Sequence, residues 1–243
     1  MRILVINPNT SEEMTRDIGE AARRYARPGT EIEAVSPEWG PRSIEGHYED
    51  YVAAVAALEV VRDRASEFDG VVIACYGDPG LAAAREISPV PVVGIAEASM
   101  LTACTVAHSF SIVTVLERVK PMLADMVRMH GLEHRCASIR TTPLSVLDCE
   151  RDPSSAGREI IVAARAAIAE DGAEAICLGC AGMGPLDKLV QEEIGIPVLD
   201  GTACAVKMLE GILDYGITTS RVAAYKEPEP KEYVNYPGPA VTA

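Results

Sequence analysis

Two cysteines in this 243-residue chain stand in matched settings. Cys75 follows the apolar run Gly70-Val71-Val72-Ile73-Ala74 and precedes Tyr76-Gly77. Cys180 follows Ala175-Ile176-Cys177-Leu178-Gly179 and precedes Ala181-Gly182. A thiolate and a thiol on opposite sides of a stereocentre can take a proton from one face and return one to the other. A free thiol titrates near ~8.5, and the unpaired N–H groups and positive dipole end of a helix N-terminus draw it toward neutrality. Taken singly, each cysteine reads as a small buried hydrophobe. Their matched placement is what makes a pair of them worth considering as acid and base.

Other chemistry is less well supplied. Cys177 and Cys180 form a C-x-x-C, but a redox pair needs both sulfurs at a helix start, and Cys177 falls inside the apolar run. A zinc site needs a second pair of ligands. His130 and His134 near Cys136 do not complete one, and His47 and His108 stand alone. Gly77 and Gly80 come with no phosphate-binding or dinucleotide fingerprint. No metal and no cofactor is therefore expected. Asn7 follows the first apolar run, and its amide can both donate and accept, matching an imide N–H and C=O. Thr10 with Glu13 reads as a capping box for the helix that follows. Thr114 lies in the comparable region of the second half and reads equally as a β-branched strand residue or a ligand contact. The Ser43-Ile44-Glu45-Gly46 segment is a solvated loop or a cover over a cleft. Asp78 either caps the next helix or touches a substrate.

The elements that would position these residues alternate. Strand-like runs at 3–6, 70–75, 91–95, 111–115, 138–141, 175–178 and 197–199 are interleaved with helical patterns at 51–65, 80–86, 119–130, 154–170, 184–194 and 203–215. Such alternation predicts an α/β fold with parallel sheets. The segment around Cys75, continuing to Pro91-Val92-Val93, repeats around Cys180, continuing to Pro197-Val198-Leu199. Two pseudo-symmetric α/β domains follow, with the active site in the cleft between them. Residues 1–103 plus 214–243 form the first, its tail returning over it, and residues 104–213 form the second. In parallel α/β sheets ligands bind beyond the carboxyl ends of the strands, where both cysteines fall.

Composition narrows the partners. A net charge of −14 argues against nucleic acid, which needs a basic face. No apolar run is long enough to span a membrane, and no secretion signal is evident at the start. Seven cysteines without scaffold spacing suit reduced thiols in a cytoplasmic protein. The expected partner is a small-molecule substrate, and a homo-oligomer is expected.

Four segments together resemble a known family. Asn7-Pro8-Asn9-Thr10-Ser11, Ser43-Ile44-Glu45-Gly46, Ala74-Cys75-Tyr76-Gly77-Asp78-Pro79-Gly80-Leu81 and Leu178-Gly179-Cys180-Ala181-Gly182-Met183 are similar to the hydantoin and allantoin racemases of the aspartate/glutamate racemase superfamily. The resemblance implies catalysis by Cys75 and Cys180 without a cofactor. The amino-acid racemase branch tends to carry Asn-Thr after the first cysteine and Thr-His after the second. Here Tyr76-Gly77 and Ala181-Gly182 stand there, which suits a neutral flat ring better than a free amino acid. The expected reaction is racemisation of a 5-substituted hydantoin, allantoin included, at C5. Backbone N–H groups at Tyr76–Gly77 and Ala181–Gly182 would hold the ring carbonyls as they become enolate-like. Asn7, Ser43, Ile44, Asp78 and Thr114 complete the expected substrate contacts. The alternatives are another enzyme of the superfamily, such as a maleate isomerase-like one, and a two-lobed binding protein without turnover.

Overall fold

The computed structural model describes residues 1–235. The first half runs β1 (Arg2–Ile6), α1 (Glu12–Tyr25), β2 (Glu31–Val35), α2 (His47–Arg64), β3 (Gly70–Ile73), α3 (Leu81–Ile87), β4 (Val92–Gly94) and α4 (Ile95–Val106). The second half runs β5 (Phe110–Val115), α5 (Lys120–Met129), β6 (Cys136–Thr142), α6 (Val146–Arg151), α7 (Pro153–Asp171), β7 (Ile176–Leu178), α8 (Asp187–Ile194), β8 (Val198–Leu199) and α9 (Gly201–Tyr215). The four strands of each half form one parallel sheet, in the order β2-β1-β3-β4 and β6-β5-β7-β8. The two orders correspond strand for strand, so the repeat seen in the sequence is a repeat of topology.

Parallel strands buried on both faces are near-continuously apolar, as β3 and Ile3–Ile6 of β1 are. Side chains alternate across a sheet. Leu4, Ile6, Val71 and Ile73 therefore pack outward under α2 and α3, while Ile3, Val5 and Val72 join the core that continues into the second half. The helices do not respect the division of the chain. α4 follows β4 but lies against β5, β7 and β8. α9 follows β8 but lies against β3 and β4. The N-termini of these two helices touch: a Cβ on Gly201 would stand 2.6 Å from the Ile95 carbonyl oxygen. Only a residue without a side chain fits that approach.

Two elements have no counterpart in the sequence reading. β2 is a half-exposed edge strand, Glu-Ile-Glu-Ala-Val, and α6 is a short helix that Ser145 caps. The start of α1 also differs from expectation. Ser11, not Thr10, is its cap, accepting from the Met14 N–H at 3.3 Å. Thr10 is held one residue outside the helix, donating both its N–H and its hydroxyl to the Pro41 carbonyl. After α9 the tail crosses the first half, where the Arg221 guanidinium donates to the carbonyls of Arg85, Glu86 and Ser88. The last part of the tail expected to return, residues 236–243, lies outside the described residues. No helix among the described residues is long and apolar enough to cross a membrane.

Candidate active site

Each half brings a cysteine to the same place. Cys75 stands two residues beyond the end of β3, and Cys180 stands two residues beyond the end of β7. Register extends the match. β1 pairs with β3 through Ile6 and Ile73, and β5 pairs with β7 through Val113 and Leu178. Asn7 and Thr114, the next residues along, are therefore counterparts beside the two cysteines.

The two thiols share one cavity, enclosing roughly 500 Å³ including its mouth. Asn7, Ile44, Tyr76, Gly77, Thr114 and Ala181 line it with the cysteines. Val115, Val119, Met122, Leu123 and Val146 add an apolar wall that sequence reasoning did not find. The amphipathic pattern of α5 was the available signal, but it gives a buried face without saying what that face meets. Glu45 Oε1 accepts from the Val146 N–H at 3.1 Å, tying the loop after β2 across the cleft to α6. Ile44 is held over the cavity beside that tie.

Three of the expected contacts fall elsewhere. Ser43 does not line the cavity, and Gly182 lies on the wall of a neighbouring one, with Met14 between. Asp78 turns away: its carboxylate accepts from the N–H groups of Ala96 and Glu97 at 3.0 and 2.9 Å, capping α4. It does this from a left-handed backbone conformation, φ 46°. The N-cap residue of α4 is Gly94, which has no side chain to do the work, and a Cβ there would collide with the Asp78 carboxylate.

Asn7 and Thr114 line the cavity but are also heavily engaged. The Asn7 amide donates to Asn9 Oδ1 (2.8 Å) and Thr15 Oγ1 (2.9 Å), which locks the turn into α1. Thr114 Oγ1 donates to the Gly179 carbonyl at 2.8 Å, which holds the residue just before Cys180. The backbone N–H groups expected to meet a ring carbonyl are directed otherwise at rest. The Gly77 N–H bears on the Cys75 sulfur and that of Gly182 on the Cys180 sulfur, while the Met183 N–H donates to the Cys180 carbonyl at 3.0 Å. Cys177 is fully buried inside β7, near the hydrogen-bonded Tyr76 and Ser99 hydroxyls, and is apart from the cavity.

The family model for Asp/Glu/hydantoin racemase matches residues 3–209. A hydantoin racemase from Pseudomonas sp. (strain NS671) is 49% identical over 235 residues, covering 96% of this chain and 94% of that one. The chain belongs to the Asp/Glu/hydantoin racemase family. Two solved structures resemble it closely along their length. One is the allantoin racemase from Klebsiella pneumoniae, at TM-score 0.93, 46% identity and 96% coverage of each chain. The other is the allantoin racemase from Pseudomonas fluorescens, at TM-score 0.93 and 43% identity, covering 96% of this chain and all of that one. The protein is accordingly an enzyme of the isomerase class, a racemase.

For a racemase of this family the electrostatics of the two thiols are unequal. Both are pushed up, contrary to the expected lowering by helix N-termini, because the apolar cavity penalises the charged form more than the nearby N–H donors favour it. Burial raises Cys180 to about 11, against the Gly182 N–H and with the Glu45 charge adding to the rise. Burial raises Cys75 further, against one N–H donor, with the charges of Asp50, Cys180 and Asp78 adding to it. The structural reason for the missing dipole at Cys75 is that α3 begins only at Leu81, beyond the turn. Asp50 escaped the sequence reading altogether: it lies 25 residues upstream, on α2, and only the fold brings it beside the cysteine.

Proposed function

We propose that this racemase interconverts the enantiomers of 5-substituted hydantoins, allantoin included, with Cys75 and Cys180 as paired acid and base. The observation that carries the proposal is two half-buried free thiols at matched strand ends of opposed sheets, sharing one cavity. The named relatives support the substrate class, since those printed as hydantoin and allantoin racemases cover nearly the whole chain. One thiolate removes the C5 proton while the other thiol delivers a proton to the opposite face. The ring carbonyl beside C5 already acidifies that carbon, so no step needs a metal or a cofactor. The apolar wall raises the cost of a bare thiolate and makes it a stronger base once formed. The N–H groups of Gly77 and Gly182 offset that cost at the sulfurs.

Optical rotation of single enantiomers of allantoin and of alkyl and aryl hydantoins tests the reading. Loss of rotation with time is expected for at least one of them. A ligand that binds without losing rotation would support the two-lobed binding protein instead. The homo-oligomer and the cytoplasmic location belong to the same proposal, and light scattering on the purified chain tests the first.

A further inference from the structure

We propose that Asp50 is a positioning residue that holds Cys75 in its thiol form, so that Cys180 is the resting base and Cys75 the resting acid. The proposal rests on the two-cysteine reading above. Asp50 stands in the first turn of α2, its N–H bonded to the Gly46 carbonyl at 3.0 Å. Its Oδ1 is buried without a hydrogen-bond partner. That oxygen packs against the backbone of Gly77: a Cβ at Gly77 would stand 2.5 Å from it. The glycine two residues after Cys75 is therefore what makes room for the carboxylate. The same glycine directs its N–H at the Cys75 sulfur. A bare buried acceptor costs stability, and this one sits against the turn that cradles a reacting thiol.

The surroundings of the two sulfurs break the symmetry of the fold. Cys75 faces Asp50 from α2, Asp78 from its own turn and Cys180 from the other half, and each opposes a thiolate there. The Asp78 charge is spread over two N–H donors of α4 and opposed by Arg85. Among the described residues, His47, on the same helix, is the charge acting against that of Asp50. Burial pushes the Asp50 carboxyl up to about 6, so it is charged near pH 7.5. On the other side, Glu45 is the carboxylate bearing on Cys180, and the Val146 N–H holds it.

The proton inventory is simple. The C5–H bond breaks and an S–H bond forms at Cys180. The S–H bond at Cys75 breaks and a new C5–H bond forms on the opposite face. The enzyme is left with the thiolate at Cys75, beside the Asp50 charge. That is its less favoured form, and it returns by exchange with solvent or by a turnover in reverse.

The test does not need turnover. Iodoacetamide labelling at pH 7.5, followed by peptide mass spectrometry, gives separate rates for Cys75 and Cys180. In the wild type Cys180 is expected to label faster. Asp50→Asn removes the charge and nearly keeps the shape. Labelling of Cys75 is then expected to rise about tenfold, the gain in thiolate when one nearby charge is removed, with Cys180 changed by less than about twofold. Its pH profile should move to lower pH. Asp50→Ser, uncharged and smaller, provides the same reading if the asparagine variant does not fold. An unchanged Cys75 rate in a folded variant, or faster labelling of Cys75 than Cys180 in the wild type, overturns the proposal. Failure of the two-cysteine reading would appear separately, as racemisation surviving loss of either cysteine.

Discussion

Thr114→Val distinguishes two roles for a residue that touches both the cavity and the backbone. The change keeps the shape and removes one hydroxyl. In the structure that hydroxyl donates to the Gly179 carbonyl at 2.8 Å, one residue before Cys180. The backbone passes so close that a Cβ on Gly179 would lie 2.6 Å from the Thr114 Cβ. Valine leaves the carbonyl without this donor and sets a methyl group against it. An unsatisfied buried acceptor costs about 1–3 kcal/mol. For a chain of this length each kcal/mol lowers Tm by about 2–4 °C, so a fall of roughly 2–12 °C is expected. The carbonyl must also turn to find another partner, carrying Cys180 with it. A misplacement of about 1 Å at a reacting group costs on the order of 100-fold in rate. Melting curves and steady-state racemisation, followed by circular dichroism on one enantiomer, measure both effects. The expected outcome is a lower Tm with kcat reduced and KM little changed, while Thr114→Ser retains most activity. An unchanged Tm with a raised KM would refute the reasoning and make Thr114 a ring contact.

Cys75→Ser and Cys180→Ser are each expected to lose most racemisation while still exchanging C5 hydrogen of opposite single enantiomers in deuterated water; near-normal racemisation by either ends the two-base mechanism. Cys177→Ser is expected to racemise nearly normally, and a folded but inactive variant would mean that the C-x-x-C acts as a unit. Gly201→Ala forces a Cβ against the Ile95 backbone, and backbone cannot step aside as a side-chain end can. A loss of about 3 kcal/mol or more in a denaturant titration is expected, and a neutral result would show that the contact between α4 and α9 gives way easily. Stability is expected to fall as pH rises from about 4 to 7. Burial raises Asp50 and Asp200 to about 6 and Asp78 to about 7 from an ordinary 3.8, so the folded state holds protons that the unfolded chain has released. Melts between pH 5 and 8 check this, and a Tm that climbs with pH contradicts it.

The sequence showed most clearly what local patterns decide. Largely apolar runs marked β1, β3, β5 and β7, because strands buried on both faces admit few polar residues, and those of β5, Ser111 and Thr114, are hydrogen-bonded. The repeat around Cys75 and Cys180 gave the opposed halves and the paired thiols. β2 was hidden because Glu31 and Glu33 interrupt its apolar residues at an edge that water reaches. Asp78 was expected to touch a substrate or to cap the next helix; its carboxylate caps α4 instead, a choice made by strand order in space. The thiol electrostatics were misjudged because helix dipoles can be counted along the chain, whereas the apolar wall of the cavity arrives from the loop before α2, from α5 and from α6 together. Asp50 carried no signal beyond an acid in a helix's first turn, where such residues are ordinary.

The reciprocal placement of α4 and α9 also bears on how the molecule moves and melts. Each sheet is covered by a helix that the chain delivers from the other half, so stripping one sheet bares a flank of its partner. Heat is expected to take both halves together, in one transition. The same exchange opposes a hinge, since swinging the halves apart would tear two packed cores at once. Entry to the cysteines then falls to the loops above them, 41–46 from the first half and 116–119 from the second. A nick between Ala107 and Ser109 is expected to leave two fragments that elute together in gel filtration, each wearing the other's helix.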